Sequence, residues 1–262
     1  IHILTARRPY ISHAHIANLR GIKDLSIKGL PNAAWVFLTG ENGFGKTSIL
    51  QGIASALAGF DEYLYREIAI SKTTRLEASI IEHSDTKTFQ LSSQIDLEKS
   101  IKNKYPHLAC YGASRLEFEG ETYSNNYPPI HLYESKYAFK SLERQLIDWY
   151  LQQDKFEISK KRYEGTTDIL IRLLGLKNIE VDIEPGQDIQ KVFYTEQDKD
   201  SNEYNRLTYH QLASGYRSLI TMIGDIILNF YKVQQETFNP SALHGIVIID
   251  ELDLHLHPKW QK

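Results

Sequence analysis

Residues 40–47 carry the sequence GENGFGKT, whose residue types and spacing suit a phosphate-binding loop. Glycines let successive backbone N–H groups converge on phosphate oxygens, where a Cβ atom would block the approach. Lys46 would place its charge beside the β- and γ-phosphates of a nucleotide, and the Thr47 hydroxyl would be a ligand of Mg²⁺. The alternative is a glycine-rich turn before an ordinary helix. The apolar run at residues 35–38 predicts a strand leading into the loop, and this context favours phosphate binding.

Two carboxylates, Asp250 and Glu251, follow an apolar run at residues 245–249. The run is continuous, which predicts a strand buried on both faces. Ligands of open α/β sheets bind at the carboxyl ends of strands, where these two side chains would lie. We predict that Asp250 holds Mg²⁺, directly or through water, and that Glu251 orients or deprotonates an attacking water. An acidic turn is the alternative, and the phosphate loop in the same chain disfavours it.

A third segment, residues 212–218 with the sequence LASGYRS, precedes a predicted amphipathic helix. Taken alone, Ser214 would be an ordinary helix N-cap with a flexible neighbour, Gly215. A serine hydroxyl and free N–H groups at a helix start also form an anion site. Because the segment lies between the phosphate loop and the acidic strand end, we predict that it contacts a γ-phosphate. It is called the signature segment below.

The elements that would position these groups follow from apolar spacing. A helix is predicted from Lys46 to about Gly59, and another from Tyr216 with apolar residues at i, i+3, i+4, i+7 and i+11. A hairpin is predicted over residues 76–95 and a loop over residues 116–135. Further strands are predicted at residues 11–19, 25–27, 108–111, 179–183 and 189–194, and further helices around residues 139–149 and 169–174.

Composition limits the possible partners. The chain has 262 residues, 42% of them hydrophobic and 24% charged, as in soluble globular proteins with one large or two small domains. The net charge of −3 means that nucleic acid would need a local patch. Residues 160–162 (Lys-Lys-Arg) are one candidate, and a solvated face is its alternative. A single cysteine, Cys110, fits a reducing cytoplasm, and no apolar run reaches the length of a membrane span.

Taken together, the three motifs resemble the ABC-type ATPase heads, in which they occur in this order. Within that class the chain is similar to the soluble RecF/SMC/OLD-like branch of AAA-type ATP-binding proteins, which includes Septu-like anti-phage ATPase subunits. The segments that carry the likeness are residues 16–22 (IANLRGI), 41–50 (ENGFGKTSIL) and 250–258 (DELDLHLHP). The resemblance implies an α/β P-loop NTPase fold of ABC-ATPase type. Its mixed sheet would surround the phosphate-loop helix, with an inserted helical lobe.

The resemblance also implies how the chain is divided. Residues 1–262 would form a single head, with residues 1–115 and 235–262 as the nucleotide-binding lobe. Residues 116–234 would be the helical lobe that carries the signature segment. The switch histidine of the family lies on a strand after the segment that begins at Asp250. The chain starts at Ile1 and not at Met, so we expect that its natural start is missing. It stops at Lys262, just after a strongly patterned segment and before a switch histidine, so we also expect a C-terminal continuation.

The implied site is shared between two copies in a head-to-tail homodimer. ATP with Mg²⁺ would be capped by Ser214 and Gly215 of the other copy. Arg20 is a further candidate near the nucleotide, and the glutamine loop of the family falls either at Gln90 or in the segment that ends at Arg115. His255 and His257 would be dimer contacts, with metal binding as a disfavoured alternative. The residues of one copy that would hold the nucleotide are Asn42, Gly43, Phe44, Gly45, Lys46, Thr47 and Ser48.

The implied role is an ATPase whose ATP-driven dimerisation controls a DNA transaction or a nuclease effector, in bacterial anti-phage defence or DNA repair. A nucleotide-gated assembly subunit with negligible turnover would use the same residues and stays an alternative. A GTPase or AAA+ motor is disfavoured. Asn103-Lys104 is followed by Tyr105-Pro106 and so does not form a guanine-reading motif. About 200 positions separate Lys46 from Asp250, more than a compact AAA+ core would normally use.

Overall fold

The computed structural model describes residues 8–59, 73–92, 104–112, 128–134, 139–183, 190–197 and 204–252. These residues belong to two compact units. Unit 1 contains the described residues of Ile1–Ser114, Thr122–Tyr137 and His244–Glu251, and unit 2 contains those of Ala138–Leu243 together with Leu252. Within the described segments, no helix has the length and apolar character that crossing a membrane requires.

Unit 1 is built on a four-stranded antiparallel sheet. Its inner face is apolar, as the alternation of side chains along each strand requires. His83 and Ser84 adopt positive φ angles of 52° and 75° in the tight hairpin turn that joins the last two strands. The strands, in the spatial order β2-β1-β3-β4, are β1 (Tyr10–Leu19), β2 (Ile22–Lys28), β3 (Arg75–Glu82) and β4 (Asp85–Ser92).

Helix α1 (Lys46–Ala58) packs on the inner face of this sheet, and every side chain from Gln51 to Ala58 is buried. The helix ends at Gly59, which caps it with a φ of 76°. A second sheet of unit 1 is a parallel pair, β5 (Leu108–Tyr111) and β9 (Ile246–Ile249). A short helix, α2 (Ile130–Tyr133), lies against α1 and β5.

Unit 2 combines three helices with an antiparallel sheet, and its core includes the fully buried Leu146, Leu170 and Tyr194. The Ser141 hydroxyl caps the first helix by accepting a hydrogen bond from the Arg144 N–H. The helices are α3 (Leu142–Gln152), α4 (Glu157–Leu174) and α5 (Ser214–Val233). The strands, in the order β6-β7-β8, are β6 (Asn178–Ile183), β7 (Gln190–Gln197) and β8 (Tyr204–Thr208), and 3-10 turns span Tyr209–Gln211 and Pro240–Ala242.

Two local predictions are wrong. Residues 35–38 form no strand, and Trp35 and Phe37 are 64% and 72% exposed. The strand β9 is not buried on both faces either, because Val247 is 38% exposed. An apolar run favours burial, but it does not specify the partner strand that a strand at residues 35–38 would need.

The predicted lobes and the observed units differ at their edges. Residues 128–134, expected in a loop of the helical lobe, belong to unit 1 and contain α2. Residues 235–243, expected in the nucleotide-binding lobe, belong to unit 2. The inserted region is also not purely helical, since it holds the sheet β6-β7-β8. Parallel and antiparallel strands both occur around α1, but they lie in separate sheets.

Candidate functional site

The phosphate loop has the backbone conformation that its glycines predict. Gly43 and Gly45 have φ angles of 86° and 83°, in the left-handed region that L-residues with a side chain rarely adopt. Gly45 is also the N-cap of α1, so the loop leads directly into the helix. Phe44, between the two glycines, is 75% exposed. The glycines are therefore required here by backbone conformation.

Lys46 folds back over the loop that precedes it. Its ammonium group donates hydrogen bonds to the carbonyl oxygens of Gly40, at 2.7 Å, and Glu41, at 2.8 Å. The first turn of α1 contains no acidic side chain of its own, and the partial positive charge of the helix N-terminus adds to that of Lys46. A lysine charge and a helix start consequently favour an anion at the same place.

Thr47 and Asp250 join two motifs that are far apart in the sequence. The Thr47 hydroxyl donates a hydrogen bond of 2.7 Å to a carboxylate oxygen of Asp250, across 203 positions. Asp250 is only 8% exposed, and its backbone N–H donates to the Tyr111 carbonyl at 2.8 Å. Because β5 and β9 are parallel, their carboxyl ends meet at one edge, beside the start of α1. The phosphate loop and the acidic strand end thus form one site.

These two oxygens fit the chemistry of Mg²⁺. A hydroxyl and a carboxylate are hard oxygen donors, and they are already in contact, so both could bind a single ion. The described segments hold no group of three or more His, Cys, Asp or Glu side chains arranged around a common metal position. Magnesium sites that use substrate phosphates and water need no such protein cage.

Glu251 lies at a sharp change in chain direction directly after β9. Its φ angle is 49°, in the left-handed region that is uncommon for residues other than glycine. Its side chain is exposed, in contrast to that of the neighbouring Asp250. Strained backbone of this kind is often found at functional sites. Asp250 and Glu251 thus differ in their access to solvent. This difference suits their predicted roles, which are Mg²⁺ binding for Asp250 and water activation for Glu251.

The weaker candidates have other contacts. The guanidinium of Arg20 lies 6.0 Å from the centre of the Tyr133 ring, whose hydroxyl donates to the Gln51 carbonyl in the middle of α1. Gln90 lies on β4 and donates a hydrogen bond of 2.6 Å to Glu77 on the neighbouring strand. Arg115, His255 and His257 lie outside the described residues.

The signature segment belongs to unit 2, whereas the phosphate loop belongs to unit 1. Helix α5 begins at Ser214, and the N-cap position is occupied by Ala213, with no side-chain capping bond. The interpretation of Ser214 as an ordinary N-cap is therefore wrong. Ser214 is exposed and Gly215 is half-buried, so the hydroxyl is presented to solvent at the helix start.

Sequence reasoning missed the residues that hold α2 beside the site. The buried Gln51 side chain donates to the Leu132 carbonyl at 2.7 Å. A Cβ atom added to Gly112 would lie 2.2 Å from the His131 carbonyl oxygen, so only glycine fits there. Burial raises the pKa of Tyr133 above its ordinary value. One signal was available, since Gln51 is a polar residue on the buried side of α1.

The basic cluster at residues 160–162 is largely used within unit 2. Lys161 forms an ion pair of 2.8 Å with Glu157. Arg162 donates to the backbone carbonyls of Gln235 and Thr237 and lies 4.2 Å from the centre of the Tyr231 ring. Two of the three charges thus have partners in the fold. This arrangement favours the structural interpretation over a nucleic-acid contact.

A phosphate loop whose threonine contacts a strand-end aspartate, in an α/β unit, defines a P-loop ATPase domain. Residues 36–262 match the family described as "AAA domain, putative AbiEii toxin, Type IV TA system". The chain belongs to this family, and the ATPase-head resemblance of the sequence is confirmed.

Curated relatives come from bacteria. "Septu protein PtuA" of Bacillus mycoides (strain KBAB4) is 27% identical over 277 residues, covering 97% of this chain and 35% of that protein. The chain thus spans about a third of the length of this relative. "Retron Vc95 probable ATPase" of Vibrio cholerae serotype O1 biovar El Tor is 40% identical over 58 residues, covering 22% of this chain and 11% of that protein.

Among solved structures, the chain is similar to one described as "Structure of the recombination mediator protein RecF-ATP in RecFOR pathway". The TM-score is 0.48 and the sequence identity is 10%. The match covers 97% of this chain and 89% of that chain.

Proposed function

We propose that the protein binds ATP with Mg²⁺, hydrolyses it, and dimerises head to tail around two nucleotides. The observation that carries the proposal is the hydrogen bond between Thr47 and Asp250, because it places a hydroxyl of the phosphate loop against a nearly buried carboxylate. Their contact beside Lys46 is what an ATPase site requires.

Each residue of the site has a distinct role in this proposal. Backbone N–H groups of residues 42–48 bind the phosphates, and Lys46 exchanges its two carbonyl partners for phosphate oxygens. Thr47 and Asp250 would hold Mg²⁺, which would supply positive charge against the phosphates. Glu251 orients the attacking water and accepts its proton, for which its exposed carboxylate is suited.

Dimerisation would complete the site. Ser214 and Gly215 offer an exposed hydroxyl and a helix start in a unit other than that of the phosphate loop. The family resemblance implies that these groups cap the nucleotide of a second copy. A twofold pair would then make two equal sites from one self-complementary surface.

The biological role we propose is ATP-dependent control of an effector in anti-phage defence, within the cytoplasm. The similarity of the chain to a Septu protein and to a retron ATPase supports this role. The effector would be a nuclease or another subunit that acts on DNA. Recognition of nucleic acid by the chain itself is not part of the proposal, because two of the three charges at residues 160–162 have partners in the fold.

Titration calorimetry with ATP and Mg²⁺ tests the first step. Lys46→Ala should abolish binding, whereas Lys23→Ala, an exposed lysine on β2, should leave it unchanged. Equal binding by both variants would contradict the site.

Glu251→Gln should keep ATP unhydrolysed and yield a stable dimer by light scattering. A variant that binds ATP and stays monomeric would contradict the dimer. Phosphate release in a single turnover of the parent protein would support hydrolysis, whereas dimerisation without phosphate release would support nucleotide-gated assembly.

A further inference from the structure

The signature segment is preceded by a rigid 3-10 turn. The turn, Tyr209–Gln211, begins with a reciprocal cap in which the Gln211 side chain accepts hydrogen bonds from the N–H and the hydroxyl of Thr208, at 2.8 Å and 3.0 Å. Leu212 follows with its side chain buried, and its N–H donates to the Tyr209 carbonyl at 3.1 Å. The chain therefore enters the signature segment in a fixed direction.

The side chain of Tyr209 reaches helix α5 beyond Ser214 and Gly215. The residue is 1% exposed, and its hydroxyl donates to the Arg217 carbonyl at 3.2 Å. The same hydroxyl is 2.6 Å from the Thr221 hydroxyl, one turn further along α5. Tyr209 thus makes contacts on both sides of Ser214 and Gly215: through its carbonyl before them and through its phenol after them.

From this arrangement we infer that Tyr209 is the positioning residue of the signature segment. It fixes the first turn of α5 against the preceding turn, and so sets the direction in which the Ser214 hydroxyl and the helix N–H groups point. The inference rests on the proposed function, in which these groups cap the nucleotide of a second copy. Tyr209 is buried, so it acts through Ser214 and Gly215 and does not contact ATP itself.

Loss of the Tyr209 hydroxyl should weaken dimerisation more than nucleotide binding. A hydrogen bond of this kind typically changes an equilibrium by roughly two- to tenfold. Because a twofold dimer contains two signature contacts, the effect counts twice, and we expect the dimer dissociation constant to rise by about tenfold in Tyr209→Phe. The affinity of a monomer for ATP should stay within about twofold of the parent.

Tyr231→Phe is the matched control. Tyr231 is also a buried tyrosine of the same unit, and its hydroxyl donates to a backbone carbonyl, that of Phe238, at 2.9 Å. It lies near the other end of α5, which is about 25 Å from Ser214 at the rise of an α-helix. Both variants should therefore lower the melting temperature, but only Tyr209→Phe should weaken the dimer. Thr221→Val, which removes the second partner of the phenol, should weaken it as well.

The dimer is measured by sedimentation with Mg²⁺ and ATP in the Glu251→Gln background, and hydrogen exchange of residues 214–218 is measured without nucleotide. We expect faster exchange and a weaker dimer in Tyr209→Phe, and neither change in Tyr231→Phe. Equal dimer constants, or an equal loss in both variants, would overturn the inference. If the Glu251→Gln parent itself does not dimerise, the proposed function fails, and unchanged exchange in Tyr209→Phe would then reject the positioning role separately.

Discussion

Replacing Thr47 with valine removes the hydroxyl that joins the phosphate loop to the acidic strand end. Valine has nearly the same shape and helix propensity, so the loss of the hydrogen bond should dominate. The carboxylate of Asp250, 8% exposed, would lose its 2.7 Å donor. A hydrogen bond to a charged group contributes about 1.5–3 kcal/mol, and we expect the free energy of unfolding to fall by about that amount.

Urea unfolding without Mg²⁺ or nucleotide measures this cost. For a chain of this size, a loss of that order lowers the melting temperature by about 3–12 °C. Thr47→Ser keeps the hydroxyl and should lose much less. Thr86→Val, at an exposed position of β4, should change the free energy of unfolding by less than about 0.5 kcal/mol.

Calorimetry with ATP and Mg²⁺ then measures the functional part. Thr47→Val should lower the affinity for Mg²⁺-ATP by at least about tenfold, or about 1.4 kcal/mol. The reasoning is refuted if Thr47→Val is as stable as the parent, because the contact would then contribute nothing. It is also refuted if Thr47→Ser loses as much nucleotide affinity as Thr47→Val.

Two other predictions concern pH and packing. Burial raises the pKa of Glu143 to about 7, so the folded protein keeps a proton there that the unfolded chain loses near pH 4.5. The free energy of unfolding should consequently fall as the pH rises from about 4.5 to about 7. The urea midpoint of the parent should therefore be lower at pH 8 than at pH 5, and Glu143→Gln should reduce this difference. An equal difference in the parent and the variant would contradict the prediction. Gly112→Ala should destabilise the fold by at least about 1–3 kcal/mol, because its Cβ would lie 2.2 Å from the His131 carbonyl oxygen. Gly21→Ala, whose Cβ would meet nothing within 4 Å, is the control, and similar losses in thermal unfolding of both variants would speak against the close approach.

Features that depend on nearby residues could be predicted from the sequence. The apolar periodicity after Ser214 predicted α5, and the end of α1 near Gly59 was predicted as well. Each of these follows from chemistry within a few residues or from a pattern that repeats along the chain.

Features that depend on a distant partner could not be predicted. Residues 35–38 are apolar enough for a strand, yet nothing in their sequence specifies a pairing partner. Helix α2 is short, and its position depends on Gln51 and on the close approach at Gly112. The role of Tyr209 was also hidden, because its phenol reaches Arg217 and Thr221 only once α5 packs against the turn.

The parallel pairing of β5 with β9 has a consequence for synthesis on the ribosome. Asp250 follows Thr47 by 203 positions, and the whole of Ala138–Leu243 is translated between β5 and its partner strand. At about 5–20 residues per second, the nascent chain carries an exposed phosphate loop for about 10–40 s before its acidic partner emerges. During that interval the loop lacks the carboxylate that would hold Mg²⁺. In the proposed ATPase, the Mg²⁺ site that Thr47 and Asp250 would form is complete only after Ala138–Leu243 has been translated.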